Sequence, residues 1–282
     1  MNITEKDLHI AQKLNEHLEH VHKTLPKVEI MYLALQGSQN YELDIYTDSY
    51  FSDVDTKAIV IPPLSDIINN TPPLSLTLIL PDNSHCDVKD IRIMFDTFKK
   101  QNVNFIEILF TKYYYINPFY KDEVELLRLN NENIAHYNYN QALRCMSGMS
   151  KEKLHALCHP YPSCAAEIAE IGYSKKQLSH IIRMNDFIKQ YIAGKKYSEC
   201  LIPQNKDDIL YYKTTPIPVE EAVTLAERID AETYEYKTTY SIPVPEDEEE
   251  KVNELVAALL LDIKAKAMKK KFIKDLKEEG EL

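Results

Sequence analysis

Apolar residues recur at helical spacing over residues 5–24, where Leu8, Ala11, Leu14, Leu18 and Val21 alternate with charges. This predicts an amphipathic helix, and Pro26 follows as a stop signal. The period then changes. Residues 28–36 (VEIMYLALQ) form a β-rich apolar run, read as a buried strand that ends at Gly37-Ser38. A short helix or turn is expected over 39–43, and the polar, aromatic stretch 44–52 reads as a loop. Residues 55–61 (DTKAIVI) predict a second strand, stopped by Pro62-Pro63. Residues 74–80 and 85–91 flank the turn cluster Pro81-Asp82-Asn83-Ser84 and predict a hairpin. Residues 94–100 and 104–110 look helical, and 113–116 reads as a short strand whose Tyr113-Tyr114-Tyr115 run crosses the core.

Beyond residue 120 or so the pattern is helical only. Windows 122–148, 164–193, 218–232 and 247–276 pair apolar stripes with Lys- and Glu-rich faces. The class is therefore α+β: a small mixed β-sheet core with flanking helices over 1–120, and an all-helical C-terminal domain over 121–282. No Gly/Ser linker separates the two parts, so they are expected to pack together. The acidic run Glu246 to Glu250 and the lysines Lys269 to Lys271 suit the two ends of the last predicted helix through the macrodipole, without any need for a metal.

Composition narrows the field. The 282 residues are 44% hydrophobic and 27% charged, ordinary for a globular chain with ample core. No apolar run is long enough for a membrane span, and MNITEKDLHI has no secretory pattern, so a cytoplasmic location is expected. The five cysteines, an odd number without CxxC, read as reduced thiols. Among them, Cys158 and Cys164 join His155 and His159 in HALCHPYPSC, a spacing that matches no closed zinc pattern. A net charge of -11 weakly disfavours long nucleic acid as a partner, since phosphate neutralisation needs excess Lys and Arg. A small molecule, a short RNA end or a protein side chain is an easier partner to accommodate.

The candidate chemistry lies between the first two strands. Gly37 is one of only five glycines, so its position is expected to need a positive φ or a close approach. A Gly-Ser turn after a strand offers N–H groups and a hydroxyl to a polyphosphate. Asp53 and Asp55, two apart at a strand start, point the same way. Their repulsion calls for a divalent cation, Mg²⁺ or Mn²⁺, which prefers carboxylate and phosphate oxygens. Asp87 on the return strand is the expected third ligand, with Asp90 as the alternative. Two metals about 3.5–4 Å apart could then bridge a triphosphate and an acceptor oxygen. Lys57 alternates with the pair and could reach a phosphate. Lys176, His180 and Arg183 stand at i, i+4 and i+7 on one helix face, a candidate triphosphate clamp, with Lys175 as a substitute for Lys176. Tyr41 is expected to pack, and Glu107 to anchor a loop or an arginine.

The string GSQNYELDIYTDSYFSDVDTKAIVIP resembles the polymerase-β-like nucleotidyltransferase superfamily, whose signature is hG[GS]…Dh[DE]h. More narrowly it resembles predicted nucleotidyltransferases of bacteria and phages, with GSxNYxL and SDxDxKxI. NVNFIEILF over 102–110 is similar to their N-P-N-x-x-E-x-L-F segment, departing from proline at Val103. Gly172-Tyr173, Lys176, His180 and Arg183 look like their G-Y-x-x-K-x-x-x-H-x-x-R helix. Ile242-Pro243 before an acidic helix start is also similar to their C-terminus. The resemblance implies a nucleotidyltransferase catalytic domain over 1–120 with a helical domain after it, Mg²⁺ dependence and NTP use. The expected activity is transfer of an NMP to an acceptor hydroxyl with release of pyrophosphate. Two readings compete with it: a nucleotide-binding regulator without catalysis, and an interaction module of a toxin–antitoxin or phage-defence pair.

Overall fold

The computed structural model describes residues 4–47, 50–243, 253–278 and 280. The acidic run Glu246 to Glu250 and the start of the predicted last helix lie outside the described residues. Helix α1 (Glu5–Thr24) opens with a capping box, in which the Thr4 side chain accepts the Asp7 N–H and the Asp7 carboxylate accepts that of Thr4. Its buried face carries Ile10, Leu14, His17 and Val21. That face is rotated from the predicted stripe: Leu8 is exposed, because the sheet meets the helix along the row that contains His17.

The sheet is built from β1 (Glu29–Gln36), β4 (Asp55–Ile61), β5 (Ser75–Ile79), β6 (His85–Asp90) and β7 (Tyr114–Ile116), in the order β5-β6-β4-β1-β7. β4 and β6 run parallel, and the other neighbours run antiparallel. The predicted loop 44–52 contains a small ribbon, β2 (Tyr46–Thr47) paired with β3 (Tyr50–Phe51). Two-residue strands are too short to show a period. The tyrosine run forms an edge strand rather than one crossing the core, and Tyr114 is exposed.

Strand alternation sorts the sheet into two faces. Leu33, Leu35, Ala58, Val60, Cys86 and Val88 pack toward α1 with Ile10, Leu14 and Val21. Behind the sheet His17 bridges α1 to the strands, with Nδ1 2.7 Å from Thr56 Oγ1 and Nε2 2.9 Å from Ser84 Oγ. Tyr32, Ala34, Ile59 and Ile61 face the other way, into a second cluster that continues into the helical half. Asp55 and Lys57 share that second face by alternation with Thr56.

Short helices α2 (Leu64–Ile68), α3 (Ile91–Lys99) and α4 (Val103–Ile106) connect the strands. The predicted helical window 122–148 is split into α5 (Lys121–Leu129), α6 (Asn131–Ala135) and α7 (Tyr139–Ala156). The next window is divided at Gly172 into α8 (Ala165–Ile171) and α9 (Lys175–Ile192). Gly172 caps α8 at φ 86°, where a Cβ would stand 2.9 Å from Val219 Cγ2, so both conformation and space require glycine. Two further helices, α10 (Tyr197–Cys200) and α11 (Lys206–Thr214), were not visible in the pattern.

Long α12 (Val219–Tyr240) packs against α7 and α9. The last helix, α13 (Glu254–Glu278), returns to lie on α5, α3, α2 and β4. It is pinned there by Asp275, which pairs with buried Lys271 and accepts the Leu64 N–H at 3.0 Å, at the start of α2. That second apolar cluster, from Met31 to Ala267, joins the sheet and the helices. No described helix is long and apolar enough to cross a membrane.

Candidate active site

The motif loop is shaped by its backbone. Gly37 follows β1 at φ 100°, a conformation that favours glycine. Space is not the reason, since the nearest atom to an added Cβ would be 4.0 Å away. A 3₁₀ turn, Ser38–Tyr41, follows at once. Asn40 Nδ2 ties it back to the Leu35 carbonyl at 2.9 Å. Gln39 Nε2 donates to the Asp53 carbonyl at 2.7 Å and to that of Ser52 at 3.2 Å. The turn and the Asp53-Val54-Asp55 segment are thus joined directly. Gln36 also stands opposite Asp55 in the β1–β4 register.

A cavity of about 490 Å³ opens over this corner. It is lined on the sheet side by Gly37, Ser38, Asp53, Asp55, Lys57 and Asp87, and on the helical side by Lys176, His180 and Arg183. All nine candidate residues from the sequence therefore meet in one space. Asp53 is exposed and Asp55 half-buried. Asp55 Oδ1 accepts the His85 N–H at 2.8 Å. Asp87 lies opposite Lys57 on the neighbouring parallel strand, and its Oδ2 is 2.7 Å from Lys57 Nζ. Its Oδ1 accepts from Thr77 Oγ1 at 2.5 Å. Burial alone would raise the Asp87 pKa, but the Lys57 charge and these hydrogen bonds outweigh it and hold the carboxyl below its ordinary value.

Asp90, the alternative third carboxylate, has a different place. It is buried as the N-cap of α3 and accepts the Arg92 N–H at 2.8 Å and its guanidinium at 2.6 and 2.9 Å. Strand alternation turns it away from Asp87's side.

Donor chemistry gives a measure of metal fit. Asp53 and Asp55 offer hard oxygens at an open rim, as Mg²⁺ requires. Asp87 is engaged by Lys57 and Thr77, and among the described residues no three His, Cys, Asp or Glu stand together as a metal-holding group. Asp53 and Asp55 are the residues that would hold a cation here, with carboxylate oxygens of the kind Mg²⁺ takes. In the His155–Cys164 stretch, Cys158 is exposed and Cys164 Sγ lies 3.6 Å from the His159 carbonyl.

Helix α9 supplies the opposite wall. Arg183 is only 3% exposed. Its guanidinium lies 4.0 Å from the centre of the Tyr41 ring, and its Nε and Nη1 have no hydrogen-bond partner. His180 is held neutral, because burial and then the cations Arg183, Lys176, Lys153 and Lys213 push it well below the ordinary imidazole value. Lys176 faces the cavity, whereas Lys175 turns to the Thr214 carbonyl and Glu167. Tyr41 is buried, as expected of a packing residue. Glu107 is buried too, and accepts the Gly37 N–H at 3.3 Å, so it anchors the motif turn.

Lys213, Ser179, Asn104 and Glu167 also line the cavity and were missed. Lys213 donates to the Leu43 carbonyl at 2.6 Å. Its pKa is lowered by burial and then by Lys176. No local motif marks it, because α11 is brought to the site by packing on α9.

No family model matches the chain. No curated protein matches it either. Among solved structures, it is similar to a nucleotidyltransferase-like protein from Exiguobacterium sibiricum 255-15, at 10% identity and a TM-score of 0.33, covering 95% of this chain and 91% of that one.

Proposed function

We propose that the chain is a nucleotidyltransferase that binds an NTP in this cavity and transfers its NMP to an acceptor hydroxyl. The observation that supports the reading is the convergence of the Gly37-Ser38 turn, the Asp53–Asp55 pair and the cationic face of α9 on one cavity. The aspartate pair lies on the sheet side, where Lys57 is taken up by Asp87, and the free donors of Arg183 lie on the helical side. A cation-bound polyphosphate has the complementary distribution.

In this reading Arg183, with unpartnered Nε and Nη1, makes charge-assisted hydrogen bonds to phosphate oxygens. Lys176 and Lys213 add point charges. Neutral His180 can donate a hydrogen bond without adding charge. Ser38 and the turn's N–H groups face the phosphates from the sheet side. Asp53 and Asp55, with Asp87 if Lys57 releases it, would hold a Mg²⁺ or Mn²⁺ ion, which would supply charge neutralisation and lower the pKa of the attacking hydroxyl. The acceptor oxygen bonds to the α-phosphorus and its proton is lost to solvent. The bond from that phosphorus to the bridging oxygen breaks, and pyrophosphate leaves. Positioning and fixed charge carry most of the barrier reduction. The acceptor class is a protein hydroxyl, a small molecule, an RNA 3′ end or another nucleotide.

The Lys57–Asp87 ion pair favours a second reading, a nucleotide-binding regulator, since it neutralises the third carboxylate of the catalytic set. Equilibrium binding of each NTP, followed by transfer of α-phosphate label, separates the two. Binding with transfer supports the enzyme, binding without transfer supports the regulator, and no binding rejects both.

A further inference from the structure

Glu107 is the buried acid that the proposed transfer leaves unused. It is 1% exposed and lines the cavity. Oε1 accepts the Gly37 N–H, and Oε2 makes no hydrogen bond of ordinary length, with the Tyr41 hydroxyl facing the carboxyl. Leaving a buried carboxylate oxygen unpaired is costly. The groups that face it come from four elements: Arg183 from α9, Lys57 from β4, the Tyr41 hydroxyl from the 3₁₀ turn and the Tyr197 phenol from α10. Arg183 also keeps two donors free. The carboxylate therefore holds one group that a substrate phosphate would use, the Gly37 N–H, and lies in the field of a second, Arg183, whose Nε and Nη1 it leaves free.

We propose that Glu107 is a positioning residue that stands in for a substrate phosphate: in the free protein its carboxylate holds the Gly37 N–H in the field of Arg183, and it yields that N–H, taking up a proton, when a nucleotide arrives. This rests on the nucleotide-binding reading. Two anions compete for the Gly37 N–H, and a phosphate beside Glu107 disfavours its charged form. The free group is already poised for the change. Burial pushes it up to about 7 against the opposing pull of Tyr41, Arg183, Lys57 and the Gly37 N–H. The nucleotide-bound state then holds more protons than the free state. Affinity must fall as pH rises above that value, by at most about tenfold per pH unit for one proton.

Isothermal titration of the full chain at pH 7.5 reads this directly. Each α,β-methylene NTP is titrated with Mg²⁺ in PIPES and in Tris, whose ionisation heats differ. The expected result is uptake of roughly half to one proton per nucleotide bound, by linkage from the free value of about 7. Glu107→Gln, a mimic of the protonated acid, should bind with that uptake abolished and a flat pH profile, and Glu107→Asp should keep it. If Glu107→Gln does not fold, the wild-type buffer dependence and Glu107→Asp still decide. Binding with equal heats in both buffers, or undiminished uptake in Glu107→Gln, overturns the role of Glu107 while leaving nucleotide binding intact. Absence of binding by any NTP analogue overturns both.

Discussion

The sheet wall and the helical wall of the cavity face each other across one space, yet they differ in charge and in how the chain builds them. Asp53, Asp55 and Lys57 come from a single run of five residues; the register of β4 sets Asp55 opposite Gln36 and Lys57 opposite Asp87, and Gln39 ties the Asp53 carbonyl to the Gly37 turn. Arg183, Lys176 and Lys213 come from α9 and α11, which meet only through helix packing. The sheet wall has its charges largely satisfied, as in Lys57–Asp87 and Asp55–His85. The helical wall keeps free donors, those of Arg183 foremost. Under the proposed transfer the contrast becomes a division of labour: the sheet wall would fix the reacting centre, and the helical wall would gain its partners only when a polyphosphate enters.

The strongest way to break this division is to neutralise the sheet wall. Asp53→Asn/Asp55→Asn should lower label transfer by at least ~10³-fold while nucleotide binding without metal changes little. A comparable loss of metal-free binding would show that the two walls do not divide the work. Behind the same wall, burial lowers the His17 pKa from 6.5 to about 4. Between these values the unfolded chain binds the proton and the native one does not, so stability falls as pH drops from 6.5 toward 4, by up to ~3 kcal/mol. Urea midpoints across that window should show the loss in wild type and a reduced slope in His17→Asn. An equal slope in both would shift the acid sensitivity elsewhere, for instance to His180.

Two milder changes sharpen the helical side. Arg183→Lys keeps the charge but loses the forked donors and the stacking on Tyr41. It should weaken NTP binding about tenfold, measured as Kd, with a smaller effect on Asp53/Asp55-dependent cation binding. Lys213→Ala removes a partly screened point charge already bound to the Leu43 carbonyl. Roughly a threefold rise in Kd is expected, and a larger one would make α11 an equal partner of α9.

The same contrast explains what could be read from the chain. β4 was visible as DTKAIVI because its period and its proline stop are local. The i, i+4, i+7 spacing likewise set Lys176, His180 and Arg183 on one face of α9. Lys213 was invisible because nothing near it in sequence records that α11 will lie on α9. The Lys57–Asp87 pair depends on the parallel pairing of β4 with β6, which alternation within either strand does not specify. Gly37 was recognisable by its rarity, and the turn it makes is legible as a positive φ. The anchoring of that turn by Glu107 spans 70 positions. The breaks between α5, α6 and α7 fall at Asn130 and near His136, residues that do not by themselves end a helix.

Transfer from α-³²P-labelled NTPs, with Mg²⁺ and a lysate to supply the acceptor, tests the proposed activity most directly. Label should pass from at least one NTP to a protein, an RNA or a small molecule, with pyrophosphate released, and should vanish in Asp53→Asn/Asp55→Asn. Wild-type protein that binds the NTP but moves no label, or a double variant that moves it as well as wild type, would contradict the assignment of catalysis to this cavity.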